Sequence, residues 1–436
     1  MKPQYHISPP KGFLNDPNGL AQFQGIYHVF YQWMPEVQPQ GSKSWRHCVS
    51  EDLIHWKDLG CGLEPTEWYE KNGCYSGSGI TNENKYYLFY TGNVKDEKEN
   101  RSTYQCLAVS EDGSSFKKEG PVVYLPDEYT PHFRDPKVWK AEGNWWMAVG
   151  AQTKELCGNV ALLKSEDLYH WKYRGKLLDP KFDGGYMCEC PDYFQIGVHE
   201  YIVLSVQKTT GCRGVVFEGK MNYQIGSFDI ISQSGKLLDE GFDFYAPQSF
   251  QDESGRRLLF AWLGAGELDY QLSQPTVKEG WLHCLTIPRE LYMYDGKLCQ
   301  RPVKELETIR RQEHTYEISG EEKIKLASAS MELYCRNISE QSMTIQVGEV
   351  LSIIFEKEKK KVIIRRKKWQ QEGNDEKQIP MERIDEVRVF VDQSTAEIFF
   401  NHGETVFTCK IFGDNKTDLR ITTKEKVSLT TWLMEG

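Results

Sequence analysis

Five apolar, aromatic-rich runs recur along the chain: Tyr27 to Trp33, Tyr86 to Gly92, Trp145 to Gln152, Tyr201 to Gln207 and Arg257 to Gly264. Their starts lie 59, 59, 56 and 56 residues apart. Each is of strand length and bounded by turn-forming residues. A second signal follows several of them. Ser50-Glu51-Asp52-Leu53-Ile54-His55-Trp56 returns as Ser110-Glu111-Asp112-Gly113-Ser114-Ser115-Phe116 and as Ser165-Glu166-Asp167-Leu168-Tyr169-His170-Trp171. It reads as a turn between outer strands, its aromatic packing into the next unit. A fourth copy, around Ser227-Phe228-Asp229, is degraded. A period of this size, built from strands and turns with little helical periodicity, predicts an all-β chain with a five-bladed β-propeller.

The period stops near Leu306. Beyond it, Val387-Arg388-Val389-Phe390-Val391 and Ala396-Glu397-Ile398-Phe399-Phe400 alternate at strand spacing, with Asp392-Gln393-Ser394-Thr395 as the turn between them. This predicts a C-terminal β-sandwich. The expected division is a propeller over 1–300, a linker over 301–310 and a sandwich over 311–436. The basic stretches Lys359-Lys360-Lys361 and Arg365-Arg366-Lys367-Lys368 offer an anion-binding patch or, given the interleaved acids, a solvated hairpin face.

The upstream halves of the repeats carry candidate chemistry. Asp16 lies in Asn15-Asp16-Pro17-Asn18-Gly19, Asp135 in Arg134-Asp135-Pro136, and Glu189 in Cys188-Glu189-Cys190-Pro191. Aligned on the repeat, Asp16, Tyr75, Asp135, Glu189 and Tyr245 occupy one position. The first strand of each blade lines the channel, so these five are expected to converge at its mouth. Each segment has a plain structural reading too: Asn-Asp-Pro-Asn-Gly is good turn chemistry, and Arg134-Asp135 could be a simple ion pair. Their shared offset favours function. Glu189, between two cysteines, is expected to be pushed up in pKa by desolvation, as a general acid requires. Asp16, between Asn15 and Asn18, and Asp135, after Arg134, are expected to stay ionised. Two carboxylates facing a glycosidic bond are the minimal machinery for its hydrolysis.

Bulk numbers narrow the partners. A formal net charge of -10 excludes general nucleic-acid binding. No apolar stretch approaches a membrane span, and the N-terminus lacks a signal-peptide core, so a cytoplasmic protein with its 12 cysteines reduced is expected. Cys188-x-Cys190 lacks zinc spacing.

These motifs resemble glycoside hydrolase family 32, the β-fructofuranosidases. Asn15-Asp16-Pro17-Asn18-Gly19, Arg134-Asp135-Pro136 and Glu189-Cys190-Pro191 are similar to its three signature boxes, in order. Tyr75-Ser76-Gly77-Ser78-Gly79, Tyr27-His28-Val29-Phe30-Tyr31-Gln32, Gly241 to Gln248, Leu285 to Leu291 and Phe390 to Phe399 resemble further family segments. The resemblance implies the same propeller plus sandwich. It implies Asp16 as nucleophile, Glu189 as acid/base and Asp135 as transition-state stabiliser. It implies Asn15, Gln32, Ser76 and Arg134 as contacts to a terminal fructose, Tyr75 and Trp45 as pocket walls and Trp262 as a weaker candidate, itself equally well read as a buried blade aromatic. No metal or cofactor is implied.

The chain departs from the family pattern at Gln40, where a Trp is usual, at Arg46 for Gly and at Cys188 for Trp. Lys43 and Arg46 read either as surface charges or as groups that meet the anion of a phosphorylated disaccharide. The expected activity is retaining exo-hydrolysis of sucrose, sucrose 6-phosphate or short fructo-oligosaccharides. The rivals are a fructosyltransferase using the same acids, a non-catalytic fructan-binding propeller, and an arabinan-cleaving relative that the intact first box disfavours. A homodimer through the sandwich is left open.

Overall fold

Each repeat folds into one antiparallel sheet because its second strand is apolar on both sides. In Lys85–Lys95, Tyr86, Leu88 and Tyr90 pack with Phe30 and Trp45 of the preceding repeat, while Tyr87 and Phe89 pack with Phe133 and Met147 of the following one. A strand apolar on one face alone would leave one neighbour unpartnered. Aromatic and aliphatic clusters of this kind fill every seam of a five-bladed ring, each buried large side chain contributing roughly 1.5–3 kcal/mol. The computed structural model describes residues 1–37, 41–179, 181–208, 211–231, 234–338 and 341–436, with backbone alone at 211–213.

The blades begin at Gly12–Phe23, Cys74–Asn82, Tyr129–Ala141, Met187–Ile196 and Tyr245–Gln251, the innermost strands. The five apolar runs form the second strands, each paired antiparallel to the first. Blade 1 takes its four consecutive strands from residues 12–63, and from the end of the ring it gains only the two-residue strand Trp281–Leu282 at its inner edge among the described residues. The seam between the last blade and the first carries a short parallel pairing, Gly12 with Trp281 and Phe13 with Leu282, the apolar packing of Phe13, Trp262 and Leu282, and hydrogen bonds such as Glu253 N–H to Gln22 Oε1 at 2.9 Å and Arg256 Nη2 to the Tyr27 hydroxyl at 3.1 Å.

The Ser-x-Asp turns join the third and fourth strands. Asp52 Oδ1 accepts from the Ile54 and His55 amides at 3.0 and 2.8 Å, and Asp112 and Asp167 repeat the arrangement. Their aromatics pack backward rather than forward as expected. Trp56 of blade 1 meets Phe260 of blade 5, Phe116 meets Phe30, and Trp171 meets Phe89. Ser227 and Asp229 lie within a short strand, Ser227–Ile230, rather than in such a turn.

The C-terminal part is a β-sandwich whose two layers share one long antiparallel pair, Arg310–Lys325 with Asp418–Met434. The start of Asp418–Met434 pairs with Met343–Val347 and its end with Ser330–Arg336. A register break between Ile318 and Gly320 marks the bend. Ile345, Ile353 and Ile364 of one layer meet Leu333, Val389 and Ile398 of the other. Glu386–Asp392 and Thr395–Phe400 form the expected hairpin. The basic stretches are paired internally: Arg365 with Glu376, Lys361 with Glu356, Lys367 with Glu349, Lys360 with Glu382. They make no anion patch.

Buried charges bind the sandwich to the propeller. Asp392 accepts from the Gln4 and Tyr5 amides at 2.8 and 2.9 Å and pairs with His6 at 2.8 Å. His6 also meets Glu397 at 3.0 Å, and Glu397 pairs with Arg289, itself paired to Asp239 at 2.9 Å. Arg366 closes on Asp243 and Asp375.

Candidate active site

Every innermost strand slips register at the same place against its partner: between Leu14 and Pro17, Tyr75 and Gly77, Arg134 and Lys137, Glu189 and Asp192, Tyr245 and Gln248. Four of the five slips involve a proline: Pro17, Pro136, Pro191 and Pro247. Proline has no amide hydrogen for a ladder, so it is tolerated where a bulge has broken the ladder. The residue before it is forced into the left-handed region three times, at Asp135 (φ 66°), Cys190 (φ 44°) and Ala246 (φ 47°). Non-glycine residues rarely adopt that conformation, and local strain of this kind gathers at functional sites.

The bulges correct the alignment of the acids. Asp16, Ser76, Asp135, Cys190 and Ala246 are equivalent, and Asn15, Tyr75, Arg134, Glu189 and Tyr245 form a second equivalent set one residue earlier. Glu189 therefore belongs with Arg134, not with Asp135. The channel mouth is lined by two tiers, and hydrogen bonds run within each.

In the outer tier, Arg134 Nη2 donates to Glu189 Oε1 at 2.6 Å, and the Tyr245 hydroxyl donates to Glu189 Oε2 at 2.7 Å. Asn15 and Tyr75 stand half-buried in the same tier. In the inner tier, Asp16 Oδ2 accepts from Ser76 Oγ at 2.5 Å. The Cys190 thiol lies 3.9 Å from Asp16 Oδ2 and 3.6 Å from Asp135 Oδ2, and its amide donates to the latter at 3.0 Å. Gln32, on the second strand of blade 1, donates to Ser76 Oγ at 2.7 Å and accepts from Lys43 Nζ at 2.9 Å.

Thr91 and Cys190 were not singled out among the expected contacts. Thr91 Oγ1 accepts the Asp135 amide at 2.9 Å and donates to Gln105. Cys190 could have been found from its position before Pro191, the same place as Asp16 and Asp135. Thr91 carries no signal in the sequence beyond lying on a second strand.

Protonation differs from the sequence expectation. Burial raises Asp16, against the lowering pull of Lys43 and the Ser76 hydrogen bond. Burial also raises Asp135, to about 7, although Arg134 opposes it. For Glu189 burial acts upward as well, but Arg134, Tyr245 and their hydrogen bonds outweigh it and hold the carboxyl below its usual value. The reason is geometric. The Arg134 guanidinium reaches across to Glu189 at 2.6 Å and stays 3.9 Å from its own neighbour Asp135. Asn18 also fails to reach the Asp16 carboxylate; its amide meets the Asp16 backbone oxygen, and its Oδ1 accepts from Gly77.

Two further expectations change. Trp45 is fully buried between blades 1 and 2, with Phe30 and Tyr90, and its indole donates to the Tyr75 carbonyl. It sits on the third strand, too far out to wall the pocket. Arg46 is drawn to Asp58 at 2.7 Å and lies on the opposite face of blade 1 from Gln32 and Lys43's contact with it. Trp262 pairs in register with Tyr245, is buried among Phe13, Tyr245 and His283, and backs the outer tier from behind. Gln40 lies outside the described residues.

Comparison with known proteins places the chain in a family. Residues 6–302 match the family model for the glycosyl hydrolases family 32 N-terminal domain, and residues 303–432 match that for the family 32 C-terminal domain. Sucrose-6-phosphate hydrolase of Bacillus subtilis is 39% identical over 99% of this chain and 93% of its own length. That of Salmonella typhimurium is 38% identical over 94% and 88%. Among solved structures, sucrose-6-phosphate hydrolase from Lactobacillus gasseri superposes with a TM-score of 0.91 at 29% identity, covering 99% of this chain and 93% of that one. A Bombyx mori beta-fructofuranosidase mutant in complex with sucrose gives 0.86 at 29%, covering 100% and 94%. The chain belongs to glycoside hydrolase family 32.

Proposed function

We propose that the protein is a retaining exo-β-fructofuranosidase releasing terminal β-D-fructosyl units from sucrose, sucrose 6-phosphate or short fructo-oligosaccharides. The observation that carries this reading is the two-tier arrangement: Arg134–Glu189–Tyr245 lies over Asp16–Cys190–Asp135. In this reading the Asp16 carboxylate attacks C2 of the fructosyl unit while Glu189 gives its proton to the departing oxygen. A fructosyl ester forms on Asp16. Glu189, now a carboxylate, takes a proton from water as that water's oxygen displaces Asp16 from C2. Asp135 accepts hydrogen bonds from fructose hydroxyls, and Asn15, Gln32, Ser76 and Arg134 hold the same ring.

The proton needed on Glu189 is already in the site. Three carboxylates share the pocket with two cations, Arg134 and Lys43, so near neutrality one proton belongs to the cluster as a whole. Without sugar it is shared among the coupled acids, of which burial raises Asp16 and Asp135, the latter to about 7. Sugar hydroxyls that engage Arg134 weaken its hold on Glu189. Burial then favours the neutral form of Glu189, and the proton moves there. The names of the similar bacterial hydrolases favour sucrose 6-phosphate among the candidate substrates.

The test is a kinetic panel of sucrose, sucrose 6-phosphate, 1-kestose, inulin and levan. Fructose release, abolished by about 10³-fold or more in Asp16→Ala and in Glu189→Ala with the circular dichroism unchanged, is the expected result. No fructose from any substrate, or near-wild-type turnover in either variant, overturns it. Longer oligomers in place of fructose at high sucrose would make the enzyme a transferase.

A further inference from the structure

The channel has a second mouth, at the end away from the acids. Leu20, Ile80, Lys140, Gln195 and Gln251 lie four or five residues along the innermost strands beyond Asp16, Ser76, Asp135, Cys190 and Ala246. At about 3.3 Å per residue, the two ends are roughly 15 Å apart. A cavity of about 550 Å³ opens there, lined by all five blades.

Its charge does not balance. Lys137, 5% exposed, pairs with Asp192 at 2.5 Å and donates to the Ser249 carbonyl. Arg257 lines the same cavity. It stands directly across the strand pair from Gln251, so its side chain shares one face of blade 5 with Gln251 and Ser249. That face turns to blade 4, where the guanidinium lies 6.0 Å from the centre of the Phe194 ring. Among the described residues Arg257 makes no ion pair, and its Nε is shut off from solvent without a hydrogen-bond partner. The Ser249 hydroxyl is a second buried group in the same condition. Asp192 is the acid that both cations feel, and burial pulls both below their ordinary pKa values. Asp252 also lines the cavity but is held by Arg256 at 2.8 Å. Two desolvated cations thus share one carboxylate, whereas charges taken out of water are normally paired one to one. In a chain of net charge -10 this is a local reversal of sign.

We propose that this second mouth binds a small oxyanion of the phosphate class, held by Arg257, Lys137 and the Ser249 hydroxyl. A tetrahedral oxyanion answers each loose end. Arg257 supplies a planar fork of N–H groups that fits two of its oxygens. Lys137 keeps a third N–H after those given to Asp192 and Ser249, and Ser249 has its O–H to give. The negative charge cancels the surplus. Because the three residues come from blades 3 and 5 and Asp192 from blade 4, the bound ion ties three blades together at the end of the channel that the sugar does not enter. The site shares no residue with Asp16, Asp135 and Glu189, so it stands whether or not the fructosidase reading does.

The measurement is isothermal titration calorimetry with inorganic phosphate and with glycerol 3-phosphate at fixed ionic strength, on the wild type, Arg257→Met and Ser249→Ala. Melting temperatures are taken with and without phosphate. The wild type is expected to bind one phosphate with a Kd below about 1 mM and to melt higher when phosphate replaces chloride. Affinity should fall about tenfold or more in Arg257→Met and about threefold or more in Ser249→Ala. Without phosphate both variants should melt no lower than the wild type, each having lost a buried group that lacks a partner there. Glycerol 3-phosphate binding as tightly as phosphate makes a phosphate monoester the occupant; binding of phosphate alone makes it the free ion. No saturable binding of either, or an affinity unchanged in Arg257→Met, overturns the proposal, as does an equal rise in melting temperature with chloride. Should Arg257→Met fail to fold, Ser249→Ala decides: an unchanged affinity there overturns the proposal.

Discussion

Two of the acids at the active-site mouth of the channel, Asp16 and Asp135, work against the fold that holds them. Asp135 is 4% exposed, and burial has raised its pKa from 3.8 to about 7. A carboxyl with a raised folded-state pKa adds nothing to stability below its unfolded pKa. It becomes destabilising as pH climbs through the interval between the two values, to a full cost on the order of a few kcal/mol above the folded one. Asp135→Asn keeps the shape and keeps an acceptor for the Cys190 amide but cannot ionise. Its melting temperature is expected to exceed the wild type's at pH 8 and to match it at pH 4, while fructoside turnover is lost. Equal melting temperatures at pH 8 would mean that Asp135 is not strained by its charge. The three acids were legible in the sequence as residues, but their protonation was not. Which carboxylate Arg134 chooses depends on a reach across two blades, and adjacency in the chain suggested the wrong partner.

At the scale of single elements, the repeated bulge is the device that builds the site. It turns one strand position into two, so each blade sends two successive side chains to the mouth. Gly150 lies opposite the bulge that carries Arg134 and Asp135. A Cβ at Gly150 would come within 2.3 Å of the Cys188 carbonyl oxygen, next to Glu189. Gly150→Ala must therefore push blades 3 and 4 apart and move Arg134 relative to Glu189. Displacements near 1 Å at reacting groups can cost about a hundredfold in rate, so kcat is expected to fall by about that factor, with a smaller effect on KM. Unchanged kcat would show that the two blades are not in rigid contact there. The strands themselves were readable from hydrophobic spacing because each second strand is buried by both neighbours. The one-residue offset of Glu189 was not, since a bulge leaves the apolar pattern untouched and shows itself only as a proline shifted by one place. The backward lean of Trp56, Phe116 and Trp171 was likewise invisible, because spacing says that an aromatic is buried and not against which blade.

On the scale of the whole molecule, the sandwich and the ring share a buried electrostatic network. Burial alone would lower the His6 pKa, but its hydrogen bonds to Asp392 and Glu397 raise it from 6.5 to about 9. A raised histidine contributes stability that is complete below the unfolded pKa and is lost as pH rises through the folded one. The protein is thus expected to lose stability, on the order of a few kcal/mol, between about pH 6.5 and pH 9. The variant His6→Gln should start lower and show a flatter dependence in that window, as read by denaturant unfolding. A wild type equally stable at pH 6 and pH 9 would remove the charge from His6. Sequence foretold two β units in series; it held no sign that the first residues of one are bound by the second, because His6 lies nearly four hundred residues from Asp392 and Glu397 in the chain.

That arrangement bears on how the ring stays shut. Many closed circles of strands borrow a strand from the far end of the chain to finish the first blade. Here blade 1 draws its four main strands from one stretch, and the backbone ladder at its seam with blade 5 has two residue pairs. The segment just ahead of blade 1 is held at Gln4, Tyr5 and His6 by Asp392 of the sandwich. The C-terminal unit is therefore the buckle of the ring. The spacing of five blades around Asp16, Asp135 and Glu189 rests in part on a carboxylate that never faces the sugar.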